Sequence, residues 1–153
     1  MVPKRFKLMP AVCVLLKKAN TILLVKRKNT GYEDGKYGLP GGGVDGNETI
    51  LQAAIRETQE EVGVTLQEKD LEVIHVTHVR YPIDEKARYQ GEAIVFLVRA
   101  DKWEGEPKIN EPEKCSEIRW ADLDNLPKET MKSAHHFFDN VKKDTFYSEF
   151  GWK

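Results

Sequence analysis

The sequence predicts an α/β domain in which helices pack on a mixed β-sheet. Three observations support this prediction. Apolar segments rich in β-branched residues occur on both sides of one amphipathic helical pattern, and a second long helical pattern lies near the end of the chain. The chain has 153 residues with no repeat or linker-like stretch, so residues 1–153 are expected to form one domain with a sizeable core.

Composition excludes several classes of partner. The formal net charge is −1, which gives no general attraction to nucleic acid or to an anionic membrane. No apolar run approaches the roughly 20 residues of a spanning helix. The basic and then apolar start is interrupted by Pro10 and ends in Lys17 and Lys18, unlike a signal peptide. Cys13 and Cys115 form no metal-binding spacing, so we expect reduced thiols in a cytoplasmic protein with no membrane or stable nucleic-acid partner.

The first third of the chain predicts a β-hairpin followed by a glycine turn. Residues 8–16 and 21–25 read as the two strands, and residues 37–39 as a short third strand. Arg27, at the end of the second strand, is most simply a solvated residue unless a phosphate-bearing ligand lies nearby. Gly41, Gly42 and Gly43 allow close approach to a ligand and can offer a carbonyl oxygen to a metal ion.

The last part of the chain predicts three more strands and a helix. The strands are expected at residues 71–79, 92–100 and 117–121, with a polar rim loop at residues 80–91. A helical turn at residues 122–127 and a helix over 128–143 should follow, and the aromatic tail should pack back onto the domain. The buried stripe of that helix comprises Met131, Ala134, Phe138 and Val141. We assign no catalytic role to His75 or His78, which are expected to face solvent or to be satisfied locally.

The central helix has one face for packing and one rich in acids. Asn47 or Thr49 can cap its start, with Thr49 and Gln52 in the register of a capping box, and Gly63 should end it. The acids share one face because residues three and four apart are neighbours on a helix; they are Glu57, Glu60 and Glu61. The predicted packing stripe comprises Leu51, Ala54, Ile55, Thr58 and Val62.

The acidic face predicts a metal site or, alternatively, a solvated surface. Neighbouring carboxylates repel by roughly 0.2–0.5 kcal/mol per exposed pair, and the helix C-terminus adds further negative potential. A bound divalent cation would reverse that cost, and an all-oxygen donor set favours Mg²⁺ or Mn²⁺. Such a site suits attack of water on a phosphoanhydride, with a free carboxylate accepting the proton. Arg56 can brace either Glu60, one turn away, or Glu48, beneath the glycine loop.

The motif that these residues form resembles the Nudix box. Gly42, Glu48, the pair Arg56 and Glu57, the pair Glu60 and Glu61, and Gly63 stand at the spacing of its seven fixed positions. Thr58 departs mildly, because an aliphatic residue is common there. Similarity extends beyond the box over most of residues 8–127, with flanks that look like those of MutT-type nucleotide-sanitising enzymes.

The resemblance implies an α/β/α sandwich that hydrolyses nucleoside diphosphates linked to another group with the aid of Mg²⁺, for which Mn²⁺ can substitute. It implies that Glu60, Glu61 and the Gly41 carbonyl bind the metal and that Glu57 is a ligand or the general base. Glu48 and Arg56 would be structural supports, and Arg27, Gly42 and Gly43 would contact substrate. Glu111 is the first candidate for a further catalytic or metal-binding glutamate outside the box, and Glu113 is the second. Members of the family are commonly homodimers, which this chain could also form.

The resemblance favours a (deoxy)nucleoside triphosphate, cleaved to a monophosphate and pyrophosphate, with oxidised purine nucleotides as a specific case. ADP-ribose, dinucleoside polyphosphates and nucleotide sugars are the alternatives, since residues such as Tyr81 and Pro82 lie where other subgroups carry diagnostic residues. A non-catalytic nucleotide-binding regulator is an alternative of another class, although no position of the box is degenerate. RNA-end processing predicts a basic groove, against which the near-neutral charge argues.

Overall fold

The computed structural model describes residues 1–82 and 91–153, in which eight strands and two α-helices are found. The strands before the first helix are β1 (Met9–Lys18), β2 (Thr21–Arg27), β3 (Tyr37–Gly38) and β4 (Gly41–Gly43). Helix α1 (Ile50–Val62) and a short 3₁₀-helix (Glu68–Asp70) follow. The remaining elements are β5 (Leu71–Tyr81), β6 (Gly91–Ala100), β7 (Cys115–Asp122), α2 (Lys132–Lys142) and β8 (Tyr147–Phe150).

The sheet is mixed and has β1 near its centre. Its strand order is β3-β2-β1-β6-β5-β8, with β4 paired to β1 and β7 paired to β2. β1 runs parallel to β6 from Met9 to Leu16 but meets β2 only beside the turn, at Lys17 and Lys18. Because β2 then diverges to pair with β7, the outer edge of β1 is free to pair with the glycine strand β4. This divergence brings the three glycines next to helix α1.

The core lies on both faces of the sheet. Leu15 belongs to the cluster that packs with Phe137 and Phe138 of α2. Its neighbours Val14 and Leu16 point the opposite way and pack with Ala54 and Val62 of α1, among other residues. Helices therefore cover both faces, which confirms the predicted α/β/α sandwich with a mixed sheet.

Helix α1 confirms the predicted end signals. The Thr49 side chain accepts a hydrogen bond from the Gln52 N–H, and the Gln52 side chain accepts one from the Thr49 N–H. Gly63 ends the helix in the left-handed region, with φ of 72°. Thr58 is fully buried because its hydroxyl donates to the Ala54 carbonyl at 2.7 Å, which satisfies the polar atom and leaves the methyl group free to pack.

The second helix starts later than predicted. Residues 128–131 are not helical, because their backbone bonds to β3 instead. The Tyr37 N–H of β3 donates to the Glu129 carbonyl, and the Met131 N–H donates to the Tyr37 carbonyl. Residues 122–127 form a turn with an isolated bridge between Asp122 and Asn125 rather than a helical turn.

The tail returns to the domain as predicted, but it does so as an additional strand, and three of its four aromatic side chains are exposed: Phe146, Tyr147 and Trp152. β8 runs parallel to β5 and is anchored by a buried polar contact that the sequence did not suggest. The Ser148 hydroxyl lies 2.7 Å from Nε2 of both His75 and His136, and Nδ1 of the fully buried His75 lies 2.6 Å from the Thr145 carbonyl oxygen. His75 is thus buried and hydrogen-bonded by residues far along the chain, rather than facing solvent. Most of the predicted rim loop, residues 83–90, lies outside the described residues. No helix found in residues 1–82 and 91–153 is long and apolar enough to cross a membrane.

Candidate active site

Arg56 joins the acidic face of α1 to the loop before it. Its Nη2 and Nε donate to the two carboxylate oxygens of Glu48 at 2.7 and 3.0 Å, and Nη1 donates to Glu57 at 2.8 Å. Nη2 also donates to the Gly43 carbonyl at 3.0 Å, and Nη1 lies 3.4 Å from Glu60. Both partners suggested by the sequence are therefore contacted, with Glu48 the closer. Hydrogen bonds from Arg56, and then from the Asp45 N–H, lower the pKa of Glu48 to about 2.

The carboxylate of Glu57 lies directly over the glycine turn. A methyl group added at Gly42 would approach its oxygens to 2.6 and 2.8 Å, closer than side-chain carbons are found. A larger residue at position 42 would therefore require this carboxylate to shift. Burial raises the pKa of Glu57, Arg56 opposes that shift, and the negative charges of Glu60 and Glu111 add to it.

Glu61 is more buried than its neighbour Glu60. Its Oε2 accepts a hydrogen bond from the Gly41 N–H at 3.2 Å. Burial, followed by the negative charge of Glu57, raises its pKa to about 8. The side chain of Glu60 is 50% exposed, in contrast. Glu61 therefore sits in a negative potential that a cation would relieve.

The backbone of β4 turns one carbonyl toward the acids. Val12 and Gly42 are directly opposite, while the Val14 N–H bonds to Pro40 and the Val44 N–H bonds to Pro10. In this antiparallel pattern Gly41 is a non-hydrogen-bonded position, so its N–H and C=O both point away from β1. Its N–H meets Glu61 there, which places its carbonyl on the same side as the carboxylates.

Of the two glutamates proposed outside the box, the structure brings only Glu111 to the site. Glu111 lines the same cavity as Glu57, Glu60 and Glu61 and lies 3.7 Å from the Nζ of Lys114. Glu113 is exposed and does not line this cavity.

Arg27 is fixed at the end of β2 with its guanidinium on the cavity wall. Nε donates to the Tyr32 carbonyl at 2.7 Å and Nη2 donates to the Thr30 hydroxyl at 2.9 Å. The Thr30 hydroxyl in turn lies 2.5 Å from Asp34, whose carboxylate also accepts from the Gly31 N–H. The loop at residues 30–34, for which the sequence predicted no role, thus orients Arg27.

Two adjoining cavities meet at the glycine strand. The first, of about 200 Å³, holds the acids together with Lys26, Arg27 and Lys114. The second, of about 130 Å³, shares Arg27 and the three glycines but is otherwise mainly apolar. Sequence reasoning missed this second cavity because its walls come from distant segments; they include Tyr32, Leu39, Val79, Tyr81, Met131 and Phe137.

The donor set suits a hard divalent cation, although its side chains are not gathered around one point. In the described part of the chain no three His, Cys, Asp or Glu side chains converge closely enough to hold a metal. Glu57 and Glu60 are directed toward Arg56 instead. The available donors are all oxygens, and Glu61, whose pKa is raised by burial and by the charge of Glu57, would gain a further counter-charge from such an ion. A cation fits here if the carboxylates adjust their side-chain torsions.

Comparison with known proteins agrees with this geometry. A family model described as the NUDIX domain matches residues 7–141. The chain is 37% identical over 126 residues to an ADP-ribose pyrophosphatase of Methanocaldococcus jannaschii, covering 81% of this chain and 69% of that one. It is 29% identical over 126 residues to an 8-oxo-dGTP diphosphatase of Escherichia coli, covering 79% and 88%. It also superposes on the MutT NUDIX hydrolase from Burkholderia pseudomallei with a TM-score of 0.76 and 28% identity, covering 89% and 99%.

Nudix hydrolases act on nucleotide substrates with the general formula nucleoside diphosphate linked to a further group, and they use divalent metal ions. The family match spans most of the chain, and four of the box residues line one cavity, namely Gly42, Glu57, Glu60 and Glu61. The chain therefore belongs to the Nudix family, as a Nudix hydrolase of the MutT-like type.

Proposed function

We propose that this enzyme hydrolyses a (deoxy)nucleoside triphosphate to the monophosphate and pyrophosphate with Mg²⁺, and that oxidised purine nucleotides are among its substrates. The observation that carries the proposal is the junction of the two cavities. Acids and the cations Lys26, Arg27 and Lys114 line one side, which suits a metal-associated polyphosphate. Aromatic and aliphatic side chains line the other, which suits a nucleobase. The E. coli relative named 8-oxo-dGTP diphosphatase supports the same substrate class.

Residues of the acidic cavity have distinct roles in this proposal. Glu57, Glu60, Glu61, Glu111 and the Gly41 carbonyl would hold Mg²⁺, with Mn²⁺ as a substitute. The ion neutralises phosphate charge and makes water easier to deprotonate. Arg27 would bind a phosphate oxygen, and the backbone of Gly42 and Gly43 would border the phosphates.

A carboxylate of the cavity would accept the proton of the attacking water. Water then forms the new bond to phosphorus as the bond to the leaving pyrophosphate oxygen breaks. Glu57 and Glu111 are the candidates for this base, since burial raises the pKa of Glu57 and Glu111 lines the same space. Glu113 would need the loop to rearrange before it could act.

ADP-ribose is the second candidate substrate. The M. jannaschii relative, with 37% identity, is named ADP-ribose pyrophosphatase. ADP-ribose also presents a nucleoside and a diphosphate, so it would use the same two cavities, with its second ribose beyond the acids.

A substrate panel tests the proposal. Purified protein is incubated with Mg²⁺ and canonical nucleoside triphosphates, 8-oxo-dGTP, ADP-ribose, a dinucleoside tetraphosphate or a nucleotide sugar, and the products are separated. We expect monophosphate and pyrophosphate from the triphosphates, and a large loss of kcat/KM in Arg27→Ala but not in the matched variant Lys28→Ala. Turnover of ADP-ribose alone would replace the first candidate by the second, and nucleotide binding without turnover would indicate a regulator.

A further inference from the structure

The C-terminal end of helix α1 is closed by its Gly63 cap, which donates to the Gln59 carbonyl, and by two residues of a distant loop. The last four carbonyls of a helix have no partners within it. Asn110 satisfies three of them here: its Nδ2 donates to the Gln59 and Glu60 carbonyls at 3.3 and 3.0 Å, and its backbone N–H donates to the Glu61 carbonyl at 3.1 Å. The Lys108 N–H donates to the fourth, on Val62, at 3.0 Å.

The residue after Asn110 is Glu111, whose backbone is also fixed on its other side. The Glu111 carbonyl accepts hydrogen bonds from the N–H groups of Lys114 and Cys115 at 2.9 and 3.0 Å. This turn leads directly into β7. Glu111 is therefore held between the end of the acidic helix and the start of a strand, with its side chain on the acidic cavity.

The chemistry of the Asn110 side chain matters because of the charges around it. The last turn of α1 contains no basic residue and carries Glu60 and Glu61 at the negative end of the helix dipole. The Asn110 amide is neutral, so it bonds these carbonyls without adding a charge of its own.

We infer that Asn110 is a positioning residue, which holds Glu111 against the carboxylates of α1 and thereby sets the reactivity of the site. The inference rests on the proposed function, since it requires that Glu111 serve the metal or the reaction. Its specific consequence is that the effect of Asn110 passes through Glu111. The two residues must then show strong coupling when both are changed.

A double-mutant cycle tests the inference. Asn110→Ala, Glu111→Gln and the double variant are compared with the wild type for kcat, for the Mg²⁺ concentration that half-activates the enzyme, and for Mn²⁺ binding in the absence of substrate. We expect Asn110→Ala to lower kcat or metal affinity about tenfold, since small misplacements of catalytic groups have effects of this order or larger. In the Glu111→Gln background the same change should have less than a twofold effect.

Lys108→Ala is the matched control within the same loop. It keeps the backbone N–H that bonds Val62 and removes only a side chain that packs over Gly63, so it should behave as the wild type. Circular dichroism and thermal melting establish that each variant is folded.

The inference is overturned if Asn110→Ala lowers kcat and Mn²⁺ affinity by the same factor in the wild-type and Glu111→Gln backgrounds, because equal effects would indicate a general structural role. Unchanged kcat and Mn²⁺ affinity in Asn110→Ala would overturn it as well. If the wild type hydrolyses no nucleotide, the proposed function fails, and the Mn²⁺ binding cycle still decides whether Asn110 acts through Glu111.

Discussion

The carboxylate of Glu57 rests on the Cα of Gly42, so that a methyl group at position 42 would come within 2.6 Å of a carboxylate oxygen. The contact explains why the glycine strand and the acidic helix act as one unit. Arg56 also links the helix to the glycine strand, because it donates to Glu57 at 2.8 Å and to the Gly43 carbonyl at 3.0 Å. The position of Glu57 therefore depends on Gly42 and also on Arg56, an arginine that need not touch the substrate.

Gly42→Ala should displace Glu57 and lower kcat by about 10²-fold or more, because a shift of about 1 Å in a catalytic group has an effect of that size. Steady-state kinetics with saturating Mg²⁺ measures the change. Gly46→Ala is the control, since a methyl group at Gly46 meets no atom within 4 Å. Wild-type activity in Gly42→Ala would mean that the position of Glu57 is unimportant.

Arg56→Lys should lower both activity and stability. Lysine keeps the charge but cannot bond Glu48 through two nitrogens while also bonding Glu57 and Gly43. The pKa of Glu48 is lowered in the folded protein, from its ordinary 4.5 to about 2, so its contribution to stability is present above pH 4.5 and is lost as the pH falls toward 2. Acid unfolding followed by circular dichroism should therefore begin at a higher pH in the variant.

Arg99→Lys is the control for Arg56→Lys. Arg99 pairs with Glu72 and Asp101 on the surface at 3.0 and 3.5 Å, and exposed pairs of this kind contribute little. An unchanged acid transition in Arg56→Lys would contradict the bracing role of Arg56.

Glu61 should link metal binding to pH. Its folded pKa is raised from 4.5 to about 8, so its contribution to the stability of the metal-free protein is present below pH 4.5 and is lost as the pH rises through about 8. Metal binding requires the ionised form, so Mg²⁺ must displace this proton and its affinity should rise from pH 6 to 8. Melting temperatures with EDTA and with Mg²⁺ measure both effects.

Glu61→Gln mimics the protonated acid and should remove this dependence. Relative to the wild type, the metal-free variant should become more stable as the pH rises, and Mg²⁺ should raise its melting temperature little. Glu68→Gln, an exposed position in the 3₁₀-helix, is the control. Equal Mg²⁺ stabilisation of the wild type and Glu61→Gln at pH 8 would show that Glu61 is not at the metal site.

The parts of the structure that local sequence determines were predictable. The ends of α1 follow from Thr49, Gln52 and Gly63, whose bonds lie within a few residues of each other. The gathering of Glu57, Glu60 and Glu61 on one side of the helix follows from its period alone.

The parts that depend on distant segments were not predictable. β8 pairs with β5, and its Ser148 bonds His75 and His136, 73 and 12 residues away. The apolar cavity joins Tyr32 to Phe137, and no spacing within either segment indicates this contact. The delayed start of α2 has the same origin, because residues 129–131 bond to β3 instead of forming a helical turn.

The choice between Glu111 and Glu113 also required the structure. Only Pro112 stands between them in the sequence, and both are glutamates in a polar loop. In the structure Asn110 bonds the end of α1, the next residue, Glu111, lines the cavity, and Glu113 is exposed.

The most direct test of the proposed function is the rate of pyrophosphate release from a nucleoside triphosphate, measured against Mg²⁺ concentration for the wild type and Glu60→Gln. We predict that the wild type depends on Mg²⁺ and that the variant is slower by about 10²-fold or more at all Mg²⁺ concentrations, because one of the carboxylates proposed to hold the metal is lost. An unchanged rate in Glu60→Gln, or a wild-type rate independent of divalent cations, would contradict a metal-dependent hydrolysis at the acidic face of α1.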